Sequence, residues 1–187
     1  MIPNGLDARL ITDEAAEKIS EMKTFCVRFS YDDKTVNKKL EKAIERVNQF
    51  GLRRRHVGVY ILFNWRDTPD DFFERVKHVL DCGAVAVPLR FQPLDTLKYN
   101  SHIGPHWDKE KLNLFFKFRR VCGFGGVFPP YKWLLERFNN AHNFNEAFEP
   151  PQRNSLLQTR AHKDYFNSWR RTEDWRGASS NFLAKDW

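Results

Sequence analysis

The chain has 187 residues, of which 41% are hydrophobic, 29% charged and 15% aromatic, with nine glycines, nine prolines and three cysteines. That length suits one domain of ordinary size with a buried core, and the apolar content excludes a wholly disordered, low-complexity or collagen-like chain. Lys and Arg total 31 against 24 Asp and Glu, a formal charge of +7; nucleic acid, anionic lipid and phosphorylated compounds are eligible partners, but a solvated cationic surface is the simpler reading of the number.

The opening residues, Met1 to Asp7, show neither the basic nor the apolar region of a secretory signal. No apolar run approaches the roughly 18 residues of a membrane span. Thr12-Asp13-Glu14 supplies a cap and an acidic first turn for a helix over 15–22. Residues 25–30 then read as a short strand. A second helix, 36–50, carries Val36, Leu40, Ala43, Ile44, Val47 and Phe50 on one face, with Gly51 where a glycine ends a helix. The run 57–63 is apolar on both faces, as a buried parallel strand requires. Thr68-Pro69-Asp70-Asp71 starts the next helix with proline at its first position, and Phe72, Phe73, Val76, Val79 and Leu80 form its stripe before Gly83. A third strand covers 84–91.

Strand starts near 25, 57 and 84 are separated by 32 and 27 residues, close to the roughly 30 residues of one unit of a (β/α) barrel. The alternation predicts an α/β fold of about three parallel βα units. Spacing alone leaves a barrel segment and a doubly wound sheet both open. Residues 93–105 read as a loop, 108–120 as a helix, 123–130 as a glycine- and proline-rich break, and 131–138 as a further helix. The predicted organisation is a barrel-like part over 1–107, a helical carboxyl-terminal extension over 108–149, and a polar tail with interspersed tryptophans over 150–187, expected to be poorly ordered or peripheral.

Chemistry in parallel α/β folds sits at the carboxyl ends of the strands. That rule selects Arg28, Ser30, Tyr31 and Asp32, then Asn64, Trp65, Arg66 and Asp67, then Arg90, Gln92 and Asp95. Arginine at two of the three tips suits a carboxylate or a phosphate; polar residues also simply mark where strands surface. Other features are weaker. His102, His106 and Asp108 lie in a loop without helical spacing, so a structural role outweighs a metal site. Gly123-Phe124-Gly125-Gly126 lacks the lysine of a phosphate loop and reads as a turn. Arg53-Arg54-Arg55 falls at the amino end of a strand, the face that serves stability. Cys26, Cys82 and Cys122 lack the roughly two- to four-residue spacing of a zinc or redox pair. They read as free thiols in a reducing, cytoplasmic compartment.

Three segments together carry a resemblance. Asn4 to Thr12 looks like the stretch after the third strand of radical S-adenosylmethionine (radical SAM) enzymes; residues 59–71, through Asn64-Trp65-Arg66-Asp67, resemble their fifth strand and the acidic helix start that follows. Pro88-Leu89-Arg90-Phe91-Gln92-Pro93-Leu94-Asp95 is similar to the sixth strand of an uncharacterised bacterial and phage branch. The resemblance spans about residues 4–110 and makes 25–32 the fourth strand. It implies a partial (β/α)₆ barrel, a [4Fe–4S] cluster and S-adenosylmethionine as cofactors. It also implies Arg28 and Ser30 near the methionine end of that ligand, Asn64 to Asp67 along its adenine and ribose, and Arg90 and Gln92 at the rim of a substrate cavity. Val59 and Phe63 stand where the family often has glycines, and the cluster-binding C-x-x-x-C-x-x-C motif is absent.

The resemblance therefore implies the carboxyl-terminal half of such a barrel, not catalytically competent alone and binding no cluster by itself; either a separate polypeptide carries the cysteine motif, or the half arises from a frameshift, a truncated gene or decay. The edge of strand 25–30 is expected to be unpaired, which invites a partner or aggregation. Two other classes stay open. One is single-stranded nucleic-acid binding, from Tyr131, Trp133, Tyr165, Trp169, Arg170, Arg171 and Trp175. The other is an α/β enzyme of another family that uses the strand-tip arginines on a phosphorylated substrate.

Overall fold

A computed structural model describes residues 5–22, 26–123 and 125–151 of the chain. The tail expected over 150–187 lies almost wholly outside the described residues. Elements follow in the order β1 (Leu6–Asp7), α1 (Asp13–Glu21), β2 (Val27–Ser30), α2 (Asn37–Gln49), β3 (Val57–Phe63), α3 (Pro69–Asp81), β4 (Val85–Arg90), α4 (Lys109–Cys122), α5 (Lys132–Asn140) and α6 (Phe144–Phe148).

The four strands form one open, all-parallel sheet in the order β1-β2-β3-β4, alternating with helices. This is the expected α/β fold. A doubly wound sheet reverses its strand order at a switch point. Here no reversal occurs. With the right-handed crossovers of parallel strands, sequential order keeps α1, α2 and α3 on one side of the sheet, the winding of a barrel segment.

Both edges depart from a bare fragment. Leu6 and Asp7 pair with Phe29 and Ser30, so the edge of β2 expected to be unpaired is partly covered by a strand too short to be seen in the sequence. At the far edge, the Ala86 N–H donates to Phe128 O at 2.9 Å and the Phe128 N–H to Ala86 O at 2.8 Å, an antiparallel bridge. Phe91, of opposite parity, donates inward to Phe63 O. Strand alternation therefore turns the nitrogen of Pro88 to the outer edge, where it has no hydrogen to offer.

Alternation also sorts the side chains. Val27 and Phe29 of β2, Val57, Val59, Ile61 and Phe63 of β3, and Ala86 of β4 lie on the helix-covered face, and each is wholly buried. Arg28, Ser30, Gly58, Tyr60, Leu62, Val85, Val87 and Leu89 share the opposite face. Tyr60, Leu62 and Val85 there are only partly buried, and Leu89 is exposed.

The helix ends explain the element boundaries. Thr68 and Asp71 form a reciprocal capping box at the start of α3, with Pro69 in the first turn. At its end, Gly83 (φ 73°) donates to Leu80 O and Ala84 to Val79 O, a Schellman closure. Gly51 (φ 99°) and Leu52 close α2 in the same way, on Asn48 O and Val47 O.

The core is dominated by phenylalanine. Phe63 lies with its ring centroid 4.9 Å from Phe72 and 4.7 Å from Phe115, while Phe148 packs on Phe72, Phe115, Phe118, Phe138 and Phe144 at 4.7–5.6 Å. Offset and edge-on pairs at such distances each add about 0.5–1.5 kcal/mol beyond area burial. The cluster ties β3 and α3 to α4 and α6. Helix α6, one and a half turns long, was not predicted from the sequence. No helix of the described residues is long and apolar enough to cross a membrane.

Candidate functional site

The carboxyl ends of β2 and β3 open onto a cleft of about 430 Å³ lined by Asp32, Asp33, Lys34, Leu62, Trp65, Arg66, Asp67, Asp71 and Arg75. Its volume falls within the range of small-molecule sites. The floor is an ion pair. Arg75, on the inner face of α3 and 2% exposed, donates through Nη2 to Asp67 Oδ2 at 2.8 Å. Longer bonds run from Arg75 Nη1 to Tyr31 O and Asp32 O, at 3.3 and 3.4 Å, and from Nε to Asp71 O at 3.3 Å. One guanidinium thus clamps the end of β2, the loop after β3 and the first turn of α3.

The loop after β3 is shaped locally. Asp67 Oδ1 accepts from the Trp65 N–H at 3.0 Å, and Asp67 O accepts from Trp107 Nε1 at 3.0 Å. Burial pushes the Asp67 carboxyl above its ordinary range, although the Trp65 N–H and Arg75 both oppose the shift. Asp71 behaves oppositely. The Lys34 ammonium at 2.8 Å and the Thr68 hydroxyl hold it down to about 2. Trp65 is 40% exposed, with the Arg66 guanidinium 4.8 Å over its ring and Phe91 at 5.8 Å.

Six of the residues singled out from the sequence, Arg28, Ser30, Asn64, Asp67, Arg90 and Gln92, fall into three places. Arg28 and Ser30 sit together on the face of β2 opposite α1, α2 and α3, where Arg28 Nη1 donates to the Tyr60 hydroxyl and its guanidinium lies 5.3 Å over the Tyr60 ring. A Cβ on Gly58 would come 3.4 Å from Arg28 Cγ, and one on Gly5 would come 2.1 Å from Ser30 Oγ, so close backbone surrounds both. Asp67 is in the cleft.

Asn64, Arg90 and Gln92 converge elsewhere, on the loop 100–104. Asn64, fully buried at φ 65°, donates through Nδ2 to His102 O at 3.0 Å and accepts from the Gly104 N–H at 2.9 Å. Arg90 shares a register position with Phe63 on the helix-covered side. It donates to His102 O at 2.7 Å and to Asn100 Oδ1 at 3.3 Å, and Gln92 donates to the same Asn100 oxygen at 3.1 Å. Burial lowers the Arg90 pKa. These three side chains anchor a loop, and both polar ends of the Asn64 amide are committed to it.

The weaker features resolve as structure. Asp108 caps α4 through the Lys111 N–H at 2.7 Å and also meets its ammonium. Arg54 donates to Cys82 O at the amino end of the sheet. The turn before Val127 wraps Arg119, whose Nε donates to Gly126 O at 2.7 Å. Tyr131 and Trp133 stack at 6.4 Å with 19° between planes, while Tyr165, Trp169, Arg170, Arg171 and Trp175 lie outside the described residues.

Sequence reading missed Arg75 and Tyr60. Both had a visible signal: Arg75 interrupts an apolar stripe midway between Phe72 and Val79, and Tyr60 alternates with wholly apolar neighbours. The three cysteines are free and sit before β2, at the end of α3 and at the end of α4. Burial raises all three thiols, Cys82 to about 11 and Cys122 to about 12. Among the described residues no group of three or more His, Cys, Asp or Glu is placed to hold a metal ion. A [4Fe–4S] cluster, which needs several thiolates converging on one point, does not fit this set. No family model, no curated protein and no solved structure matches the chain.

Proposed function

We propose that the chain is the carboxyl-terminal portion of a radical SAM-type (β/α) barrel, working in the reducing cytoplasm and incompetent for catalysis alone. A separate polypeptide carrying the cysteine motif would complete it. The observation that carries this reading is the sheet face opposite α1, α2 and α3. Sequentially wound parallel strands set Arg28, Ser30 and Tyr60 side by side there, where a closed barrel would hold its ligand. S-adenosylmethionine bound to that face would meet Arg28 through its carboxylate and Ser30 through a hydroxyl contact. Asn64, committed to the loop backbone, is not part of the proposed contact set, and no reaction step is assigned to this chain.

The test is anaerobic reconstitution of the full chain with iron and sulfide, followed by equilibrium dialysis against S-adenosylmethionine. The expected outcome is well under about one iron per chain, with weak ligand binding that Arg28→Met abolishes; about four irons per chain, as one cluster would give, would overturn the two-polypeptide reading. Binding unchanged by Arg28→Met would overturn the placement of the ligand. Steeply salt-dependent retention of single-stranded DNA in place of S-adenosylmethionine would move the assignment to a polyanion-binding protein.

A further inference from the structure

The cleft at the ends of β2 and β3 carries charges that its own ion pairs do not consume. Lys34 is paired with Asp71 and Arg75 with Asp67, each at 2.8 Å. That leaves Asp32, Asp33 and Arg66 among the lining residues. Asp33 spends one oxygen on the Thr35 N–H at 2.7 Å, and among the described residues neither Asp32 nor Arg66 makes an ion pair. The two carboxylates come from the loop after β2 and the guanidinium from the loop after β3. The uncharged part of the lining is Leu62 and Trp65.

We infer that this cleft binds a zwitterionic amino acid with an aliphatic side chain, its ammonium on Asp32 and Asp33, its carboxylate on Arg66, and its side chain against Leu62 and Trp65. Each end of such a ligand meets a charge that has no ion-pair partner among the described residues, and charge-assisted bonds to carboxylate and guanidinium are the strong ones. A purely anionic ligand would face two uncompensated carboxylates, and a purely cationic one would leave Arg66 unanswered. The assignment stands on the cleft alone and is independent of the radical SAM reading.

Titration calorimetry on the full chain tests it with L-norleucine and two matched half-ligands, n-pentylamine, which lacks the carboxylate, and hexanoate, which lacks the ammonium. Norleucine should bind saturably, and each half-ligand should bind about tenfold more weakly or less. Asp32→Asn should weaken norleucine about tenfold and leave hexanoate unchanged, and Arg66→Gln should weaken norleucine equally and leave pentylamine unchanged. Asp32 and Arg66 hold no ion pair, so the melting temperature should stay constant in both variants and separate a lost contact from a lost fold. The inference is overturned by the absence of saturable heat up to about 10 mM norleucine, by a half-ligand that binds as well as the whole, or by indifference to both substitutions.

Discussion

Replacing Arg75 by methionine removes the guanidinium from the floor of the cleft while keeping most of its aliphatic volume. The pair it breaks is shielded from water, with side-chain exposures of 2% for Arg75 and 13% for Asp67, so solvent screening offers little relief. Losing one partner of a buried pair costs about 3–5 kcal/mol, chiefly because the other charge is left uncompensated; for a domain of this size that is a melting-temperature drop on the order of 10 °C. The three bonds to backbone carbonyls are 3.3–3.4 Å long and add less. The pH dependence has a definite sign. Burial already holds the Asp67 carboxyl above its ordinary value in the folded state, and without Arg75 it should rise further. A carboxyl raised on folding destabilises most when ionised, so the deficit should grow as pH rises through the folded pKa and shrink on acidification toward the unfolded value. The double variant Arg75→Met/Asp67→Asn, with no charge left to bury, should recover about half the loss or more and flatten its pH dependence. Urea unfolding followed by circular dichroism at about pH 5 and about pH 7 measures all of this. A loss below about 1 kcal/mol, or a double variant no better than the single one, would refute the view that a desolvated charge pair holds the strand ends together.

The remaining predictions concern the loop anchor, the helix cap and the thiols. Gly104→Ala would place a methyl 2.5 Å from Trp65 O and 2.9 Å from Asn64 C and O; thermal denaturation should show about 1–3 kcal/mol of destabilisation, and a neutral result would mean that the loop 100–104 is not seated on Asn64. Thr68→Ala removes one half of the capping box and should cost about 1 kcal/mol by chemical denaturation, with the Asp71 carboxyl rising because its hydroxyl donor is gone. In the intact protein that carboxyl is held down to about 2, so its stabilising contribution is present above the usual unfolded value and fades as pH falls from about 4 toward 2. Carbon-detected NMR titration reads it directly, and a midpoint near 4 in the unmodified chain would contradict the Lys34 contact. Burial and raised pKa together should make Cys122 unreactive toward a disulfide reagent near pH 8 until the chain is unfolded; rapid native labelling of that residue would show the end of α4 to be open.

Periodicity and punctuation located the main elements closely because both report local physics. The stripe from Leu40 to Val47 and the stops at Gly51 and Gly83 mark α2 and α3 almost to the residue, since a buried face and a left-handed closure leave direct traces in composition. What stayed hidden depends on distant partners. β1 is two residues long and exists through its pairing with Phe29 and Ser30; α6 exists through the phenylalanine cluster that Phe144 and Phe148 complete. The candidate site divides the same way. Polar strand tips were visible, but not their facing. Arg28 and Arg90 look alike in sequence, each near the end of an apolar run, yet register places Arg28 on the face opposite α1, α2 and α3, and Arg90 on their side over the Phe116 ring. Arg75 was overlooked because a charged residue inside a helix is ordinarily assigned to water, and here three backbone carbonyls and one carboxylate replace that water.

The edge of β4 sets how this sheet can grow. Phe128 occupies the hydrogen-bonding groups of Ala86, and Pro88 has no donor to present, so a strand approaching from that side finds no free N–H before Arg90. In the language of polymer chemistry, the β4 end of the described sheet is largely capped, and one proline with one borrowed phenylalanine works against edge-to-edge growth from that side.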